Sequence, residues 1–210
     1  MSKRKIYIVG GGSEYANWTE SKEVFKMEDA DLVLFTGGED VDPSLYNRKS
    51  HPTTSSNLYR DKKEKSAFEQ AKDLDKPMLG ICRGSQLLCV LNGGILVQHQ
   101  DNPAYIHKMH MHDGKDILIS STHHQAAFPY VMPADKYKIL GWTNGISDFH
   151  YGQSWLEELN PPRECEVVYY SENRCLGIQG HPELLYNREG GEPSITYLRG
   201  LLDKHMSNQI

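Results

Sequence analysis

One cysteine stands in a setting that suits a nucleophile. Cys82 follows the short apolar run Met78 to Ile81 and has a glycine two residues away on each side, Gly80 and Gly84. Glycines at these positions allow a sharp strand-to-helix turn, because larger side chains would collide with neighbouring backbone. A lone cysteine is more often a buried structural residue. This context instead predicts a nucleophile elbow, with the sulfur at a helix N-terminus where the helix dipole favours the thiolate.

A thiolate nucleophile needs a base, and the base needs a group that orients it. His181 and Glu183 supply both, directly after the apolar run Cys175 to Gln179. Glu183 is spaced to accept the second ring N–H of His181, and Pro182 stiffens the link between them. His-Pro-Glu alone is a weak signal, since a surface histidine would explain it. Its pairing with the elbow predicts a triad of Cys82, His181 and Glu183.

A third segment, Phe35-Thr36-Gly37-Gly38, precedes the elbow, and the order of the three motifs resembles the class I glutamine amidotransferase superfamily. In that superfamily a Cys-His-Glu triad hydrolyses a γ-glutamyl amide. The resemblance covers residues 32 to 183 and is closest to the γ-glutamyl hydrolase-like branch, peptidase C26. The segments that carry this closer match are Gly37 to Tyr46, Arg60-Asp61 with Glu64, Gly80 to Gln86 and Ser121 to Gln125.

The resemblance implies a fold and a set of roles. The fold would be a single flavodoxin-like α/β domain over residues 1–210, with a mostly parallel sheet, an antiparallel extension and helices on both faces. Attack on an amide places negative charge on the carbonyl oxygen, so two N–H donors must surround it. The resemblance places this oxyanion hole at the backbone of Gly38, with Gly37 as the second choice, and of Arg83. The α-amino-acid end of the substrate would be bound by Gln86 and by the segment Ser121, Thr122 and His123. The alternative for Gln86 is a solvated position on its helix.

Three departures from this branch bear on the substrate pocket. The segment between Val9 and Leu32 is short, whereas relatives carry a longer helix and an additional strand there, so part of the substrate entrance would be missing. Ser120-Ser121 stands where the branch often has Asn-Ser, and Gly180 stands where an aromatic residue commonly precedes the histidine. These two substitutions are expected to widen the pocket or to alter the acyl acceptor without changing the triad.

The elements that position these residues follow from the hydrophobic pattern. In the first half, β-rich runs alternate with helical patterns, which is typical of a parallel sheet covered by helices. The predicted elements are strands at Lys5 to Val9, Leu32 to Phe35 and Met78 to Ile81, and helices at Asp61 to Leu74 and Arg83 to Leu91. The second half predicts an antiparallel extension, with strands at Ile117 to Ser120, Tyr137 to Trp142, Glu166 to Tyr170 and Cys175 to Gln179. A last helix, Ser194 to Met206, would cover the sheet.

The composition limits the class of protein. With 210 residues, of which 38% are hydrophobic and 24% charged, the chain has the make-up of one folded domain. The formal net charge of -5 argues against a nucleic-acid partner, and no apolar run is long enough to span a membrane. The start of the chain has no apolar signal segment, so we expect a cytoplasmic protein. The four cysteines lack CxxC spacing and are expected to be reduced.

Two other patterns are weaker. Gly10-Gly11-Gly12 follows the first predicted strand, but Tyr15 stands where a dinucleotide-binding motif requires its third glycine, so a sharp turn is expected. The group His107, His110, His112 and Asp113 is interleaved with methionines and lacks the spacing of known metal motifs. We therefore expect neither a metal nor another cofactor.

Three functions are compatible with these patterns. The leading one is cysteine-dependent hydrolysis of a γ-glutamyl amide, either glutamine or a γ-glutamyl amine, through a thioester on Cys82. The second keeps the chemistry in a glutaminase subunit that supplies ammonia to a separate synthetase. The third is a catalytically degenerate binding module. The ligand would be a small γ-glutamyl compound, selected by the loops Asn47 to Leu58 and Asp101 to Lys115.

Overall fold

Four strands from the first half of the chain lie in the parallel part of a central sheet in the computed structural model, which describes residues 3–99, 105–144 and 163–206. They are β1 (Lys5–Val9), β2 (Lys22–Glu23), β3 (Leu32–Phe35) and β4 (Met78–Ile81). β1 lies between β2 and β3, and β3 pairs with β4, all in parallel. Both β3 and β4 are buried along their whole length, as expected for a parallel sheet with helices on both faces. The predicted bounds of β1, β3 and β4 are confirmed, whereas β2 has no counterpart among the predicted strands.

The described part of the chain contains five α-helices. They are α1 (Glu14–Trp18), α2 (Leu58–Asp73), α3 (Arg83–Leu91), α4 (Pro182–Leu185) and α5 (Glu192–Met206). α3 has its predicted bounds, and α5 begins at Glu192 rather than Ser194. α2 begins before the predicted Asp61, because the Asn57 side chain accepts a hydrogen bond from the Arg60 N–H at 3.2 Å and caps the helix. None of these helices is long and apolar enough to cross a membrane.

The second half of the described chain adds the antiparallel part of the sheet. Its strands are β5 (Ile95–Val97), β6 (Ile106–Met111), β7 (Asp116–Ser120), β8 (Ala126–Phe128), β9 (Lys138–Thr143), β10 (Glu164–Tyr170) and β11 (Cys175–Ile178). β11 pairs with β4 in parallel, and β10, β9, β6 and β7 then extend the sheet in antiparallel order. β5 and β8 form a separate two-stranded sheet. The expected mixed sheet is confirmed, with small shifts at the ends of β7, β9, β10 and β11.

The expectation of a loop over Asp101 to Lys115 is wrong for the part that forms β6. β6 pairs with β7 and β9, while residues 101–104 lie outside the described residues. Along β6 the side chains alternate, so that His107 is buried with its Nε2 3.1 Å from Glu166 Oε1, and His110 lies on the outer face. This alternation separates the histidines. Within the described ranges, no group of three or more His, Cys, Asp or Glu side chains could hold a metal ion.

The hairpin of β10 and β11 explains the state of two cysteines. Tyr170 lies opposite Cys175, and Cys165 lies opposite Trp142 of β9. The two cysteines are therefore out of register for a disulfide bridge. All four cysteines of the chain are free and buried, which agrees with the predicted reduced state.

Two hydrophobic layers hold the helices against the sheet. On one face, α2 and α3 contribute Phe68, Ala71, Leu87 and Leu88 to a core that includes Phe35. On the other face, α1 and α5 contribute Tyr15, Trp18, Leu198 and Leu202 to a core that includes Leu79. Burial of one such large apolar side chain stabilises the fold by about 1.5–3 kcal/mol. Packing on both faces therefore holds β3, β4 and β11 in place, and with them the residues that follow their carboxyl ends.

Candidate active site

The turn from β4 into α3 holds Cys82 in a strained backbone conformation. Its φ is 52° and its ψ is -110°, and its N–H donates to the Ile178 carbonyl at 2.8 Å. A Cβ added at Gly80 would overlap the Gly84 backbone, and one added at Gly84 would overlap the Phe35 carbonyl. Close packing therefore requires both glycines, as the sequence predicts. A non-glycine residue held at positive φ is typical of functional sites.

His181 is fixed beside this cysteine by both its backbone and its ring. Its N–H donates to the Ser120 carbonyl at 2.8 Å, and its Nδ1 lies 2.6 Å from Glu183 Oε1. Burial lowers the pKa of His181, but the nearby Cys82 and the hydrogen-bonded carboxylate of Glu183 outweigh burial and raise it to about 10. The site therefore favours an imidazolium at His181, beside Cys82. The structure brings together the three residues predicted as a triad.

Tyr15 belongs to the same site, although the sequence patterns do not identify it. Its hydroxyl accepts a hydrogen bond from the Gly37 N–H at 3.2 Å. Burial, and then the charges of Glu183 and Cys82, raise the pKa of Tyr15 to about 12, so the phenol stays neutral. The available signal is its place just after the Gly10 to Gly12 turn, at the carboxyl end of β1. Ligands of open α/β sheets bind at that end of the strands.

Two backbone N–H groups are available to an oxyanion. Gly38 borders the cavity over Cys82 with a φ of 140°, and none of the described residues accepts a hydrogen bond from its N–H. The Gly37 N–H is already bonded to Tyr15, which favours Gly38 over Gly37 as a donor. Arg83 is the first residue of α3, where backbone N–H groups have no acceptor within the helix.

A buried ion-pair network lies behind these donors. The Arg83 guanidinium, which is 1% exposed, pairs with Asp61 and Glu64 of α2. Arg60 donates from Nε to Glu64 Oε1 at 2.8 Å and from Nη2 to the Gly37 carbonyl at 2.8 Å. Asp61 and Glu64 are both buried, although acidic side chains of a helix usually face solvent. Their pairing with Arg83 compensates the cost of burying both carboxylates.

A cavity of about 330 Å³ opens over Cys82. From the predicted substrate-binding set, Gln86, Thr122 and His123 line it. Gln86 is 3% exposed, and its Nε2 donates to the Gln125 carbonyl at 2.8 Å. The alternative of a solvated position for Gln86 is therefore wrong.

Three expectations about this pocket need correction. Ser121 is absent from the cavity wall, because its side chain is buried and its N–H donates to the Tyr105 carbonyl at 2.7 Å. Gly180 does not widen the pocket, since a Cβ there would overlap the Ile119 side chain and the Ser120 carbonyl. The short segment between β1 and β3 still contains a helix and an additional strand, α1 and β2, and α1 carries a residue of the site.

His123 lines the cavity, and both nitrogens of its imidazole are buried. Neither ring nitrogen has a partner among the residues that the structure describes. Burial, the largest influence, lowers the pKa of His123 to about 4, so the ring is neutral at pH 7. A neutral imidazole donates from one nitrogen and accepts at the other. It can therefore bind either end of an α-amino-acid group.

Three histidines lie at the rim of the cavity. His124 Nε2 is 3.0 Å from Asp40 Oδ1, and this pairing raises the pKa of His124. The His99 ring lies 5.8 Å from that of His124 and stacks on the His51 ring at 5.1 Å. His51 and the cavity-lining Ser55 both come from the predicted specificity loop Asn47 to Leu58, so that loop does reach the cavity.

A larger cavity, of about 690 Å³, lies at the opposite end of β3, β4 and β11. Its wall includes Lys76 and Arg174, but both are already engaged. Lys76 Nζ donates to the Ala30 carbonyl at 2.7 Å, and Arg174 Nη1 lies 3.2 Å from Asp75 Oδ2. The smaller cavity is the candidate site, because it joins a strained cysteine, a histidine of raised pKa and backbone donors at the carboxyl ends of the strands.

The chain is similar to a known family and to several known proteins. The peptidase C26 family model matches residues 17–128, more than half of the chain. Protein NtpR of Enterococcus hirae is 28% identical over 174 residues, covering 77% of this chain and 70% of that protein. One subunit of the glutamine-hydrolyzing GMP synthase of Saccharolobus solfataricus is 24% identical over 180 residues, covering 81% of this chain and 77% of that protein. The crystal structure of a glutamine amidotransferase from Thermotoga maritima matches with a TM-score of 0.64 at 13% identity, covering 99% of this chain and 100% of that chain.

Proposed function

The chain belongs to the peptidase C26 family, within the class I glutamine amidotransferase-like superfamily, and from this premise we propose that it hydrolyses a γ-glutamyl amide. Cys82 is the nucleophile, His181 the general acid and base, and Glu183 the residue that orients His181. The observation that carries the proposal is the 2.6 Å contact between His181 Nδ1 and Glu183 Oε1 beside Cys82. This contact holds the imidazole in the orientation that acyl transfer needs.

In the first half-reaction, the Cys82 thiolate attacks the γ-carbonyl carbon of the substrate and the π electrons move onto the oxygen. The N–H groups of Gly38 and Arg83 stabilise the oxyanion. When the oxyanion collapses, the C–N bond breaks and the leaving amine takes a proton from His181 Nε2. A γ-glutamyl thioester then remains on Cys82, and His181 is neutral.

In the second half-reaction, neutral His181 takes a proton from a water molecule as its oxygen attacks the thioester carbonyl. The same two N–H groups stabilise the second oxyanion. The C–S bond breaks, so that Cys82 leaves as a thiolate beside the imidazolium. Glutamate departs as its γ-carboxylic acid, which then gives its proton to water or to the released amine. One water is consumed for each amide cleaved.

The substrate's α-amino-acid end is assigned to Gln86, Thr122 and His123. The Gln86 amide donates its Nε2 hydrogen to the Gln125 carbonyl, which fixes the side chain and directs its oxygen to a ligand ammonium group. The unpaired His123 ring supplies a further donor and acceptor. Ser121 has no part in this assignment.

The test uses the purified full chain with glutamine, γ-glutamyl-p-nitroanilide and a set of γ-glutamyl amines. We expect hydrolysis by the isolated chain, a γ-glutamyl adduct on Cys82 by peptide mass mapping, and no turnover by Cys82→Ala. Cys165→Ala is the matched control and should keep its activity. Burial raises the pKa of Cys89 and Cys175 to about 12, so neither should react with iodoacetamide. Labelling of another cysteine with Cys82 inert would contradict the proposal.

A second candidate function keeps this chemistry in a glutaminase subunit that passes ammonia to a separate synthetase. The similarity to the GMP synthase protein of S. solfataricus favours it. Such a glutaminase gains from staying idle until its partner docks, because unpartnered activity wastes glutamine. A pure chain that is silent on every γ-glutamyl amide, but hydrolyses glutamine when the product of a neighbouring synthetase gene is added, would replace the hydrolase proposal with this one.

A further inference from the structure

The peptide that joins Gly37 to Gly38 is held at its carbonyl. Arg60 Nη2 donates to the Gly37 carbonyl at 2.8 Å and also lies 3.2 Å from Thr36 Oγ1. In a planar trans peptide the C=O and the following N–H point in opposite directions. A carbonyl drawn toward Arg60 therefore turns the Gly38 N–H away from Arg60, and Gly38 borders the Cys82 cavity.

Two further contacts restrict rotation of this segment. The Gly37 N–H is bonded to the Tyr15 hydroxyl at 3.2 Å, so the peptide before Gly37 is also anchored. A Cβ at Gly38 would overlap the Arg60 guanidinium, so glycine is needed for that group to come so close. Two successive glycines would otherwise leave the chain free to rotate. The direction of the Gly38 N–H thus depends on Arg60 and Tyr15 rather than on the local sequence.

Arg60 is itself connected to the other predicted oxyanion donor. Its Nε contacts Glu64 Oε1 at 2.8 Å, and the second oxygen of Glu64 pairs with the Arg83 guanidinium. Glu64 and Arg83 are 3% and 1% exposed, and ion pairs shielded from water in this way hold a fixed geometry. The loop that carries Gly38 and the helix start that carries Arg83 are therefore joined through one buried carboxylate.

We propose that Arg60 is a positioning residue of the reaction, which holds the Gly37–Gly38 peptide with its N–H turned into the Cys82 cavity and, through Glu64, keeps it in register with the Arg83 N–H. This role rests on the proposed hydrolysis. Without Arg60 the peptide can rotate and present the Gly37 carbonyl to the cavity, where it would repel the oxyanion. An oxyanion hole held by its own ion pairs also suits an enzyme that works without a partner.

The test compares Arg60→Met and Arg60→Lys with Arg4→Met as the matched control. Arg4 is also ion-paired, and its side chain is 20% exposed against 22% for Arg60. Steady-state and burst kinetics with γ-glutamyl-p-nitroanilide report steps that form an oxyanion. Alkylation of Cys82 by iodoacetamide forms none, so its rate reports the nucleophile alone.

We expect Arg60→Met to lower kcat by ~100-fold, the effect of losing one oxyanion donor, with the burst slowed equally, KM little changed and the alkylation rate of Cys82 unchanged. Arg60→Lys should recover part of this loss, because an ammonium can still donate to the Gly37 carbonyl. Arg4→Met should match the wild type. If Arg60→Met does not fold, Arg60→Lys carries the same comparison with a smaller loss.

Three results would overturn the positioning role. Wild-type kcat in both Arg60 variants would show that the peptide needs no anchor. Equal slowing of hydrolysis and of Cys82 alkylation would show that Arg60 supports only the elbow. A wild-type chain that alkylates at Cys82 yet cleaves no γ-glutamyl amide would remove the proposed function itself, and the positioning role with it. Only the first two results occur with an active wild-type chain, so the two failures are distinguishable.

Discussion

The two walls of the Cys82 cavity differ in how their polar groups are satisfied. On the oxyanion side, the charges of Arg60, Glu64 and Arg83 are joined in ion pairs, although Arg83 Nε has no partner among the described residues. On the substrate side, both nitrogens of His123 and the Oε1 of Gln125 lack a partner among the described residues. Buried polar atoms are normally paired, and unpaired ones are costly. The first wall is therefore organised before substrate arrives, whereas a ligand would complete the second.

Substitution of His181, the proposed general acid and base, should give the largest effect. His181→Ala removes both the base for the thiol and the acid for the leaving amine, so kcat should fall on the order of a thousandfold or more. Glu183→Gln leaves the imidazole in place but removes the charge that stabilises the imidazolium, so its loss should be smaller. Both are measured by hydrolysis of γ-glutamyl-p-nitroanilide. Wild-type rates in both variants would mean that the His-Pro-Glu segment merely ends a strand.

Breaking an ion pair of the oxyanion wall should also lower the free energy of unfolding, because these pairs are buried. Arg83→Met leaves Asp61 without its ion pair and Glu64 with Arg60 alone, and removing one partner of a buried ion pair costs about 3–5 kcal/mol. Arg4→Met, which breaks the surface pair with Asp203, should cost only about 0–1 kcal/mol. Urea unfolding of the two variants measures both values. Equal losses would contradict the contrast between a buried network and a surface pair.

The parts of the site that the sequence predicts are those governed by neighbours in the chain. The β4–α3 unit is predicted at its observed bounds, because Gly80 and Gly84 contact backbone within the elbow or on the adjacent strand. The spacing of His181 and Glu183 likewise fixes their contact. A local pattern is enough to identify such residues, because the elbow and the His-Pro-Glu turn each need a particular residue type at a particular offset.

The missed parts depend on contacts between distant segments. Tyr15 meets Gly37 across 22 positions of the chain, and His107 meets Glu166 across 59 positions. The period of α2 predicts which residues share a face, but it does not reveal that Asp61 and Glu64 are buried against an arginine of another helix. Pairing of charges in the folded state reverses what side-chain polarity alone suggests.

A substitution in the substrate wall should change substrate binding, seen in KM, rather than the chemical steps, seen in kcat. His123→Ala removes a donor and an acceptor from the cavity, and we expect KM to rise by ~10-fold, equivalent to about 1.4 kcal/mol, with kcat nearly unchanged. Because burial lowers the pKa of His123 to about 4, its charge should not change between pH 6 and 8. The ratio of KM values for variant and wild type should therefore be flat over that range. A fall in kcat at constant KM would mean that His123 acts on the chemical steps, as the oxyanion wall does, rather than on substrate binding.

The smallest effect concerns the rim, where Asp40 and His124 form a pair with the histidine side chain 38% exposed. The pairing raises the pKa of His124. A group whose pKa is raised by folding contributes stability that is fully present below its unfolded value of about 6.5 and is lost as pH rises through the folded value. For a pair this exposed the contribution should be about 0.2–1 kcal/mol.

Asp40→Asn should therefore be less stable than the wild type at pH 6, and the gap should close by pH 9. Asp203→Asn is the control, because its partner Arg4 does not titrate in this range, so its gap should be the same at both values. Urea unfolding at the two pH values measures each gap. A gap for Asp40→Asn that is the same at both pH values would mean that Asp40 is stabilised by its hydrogen bond from the Ser55 N–H rather than by His124. The contacts of Asp40 at the rim would then not depend on the protonation of His124, and the rim would resemble the oxyanion wall in this respect.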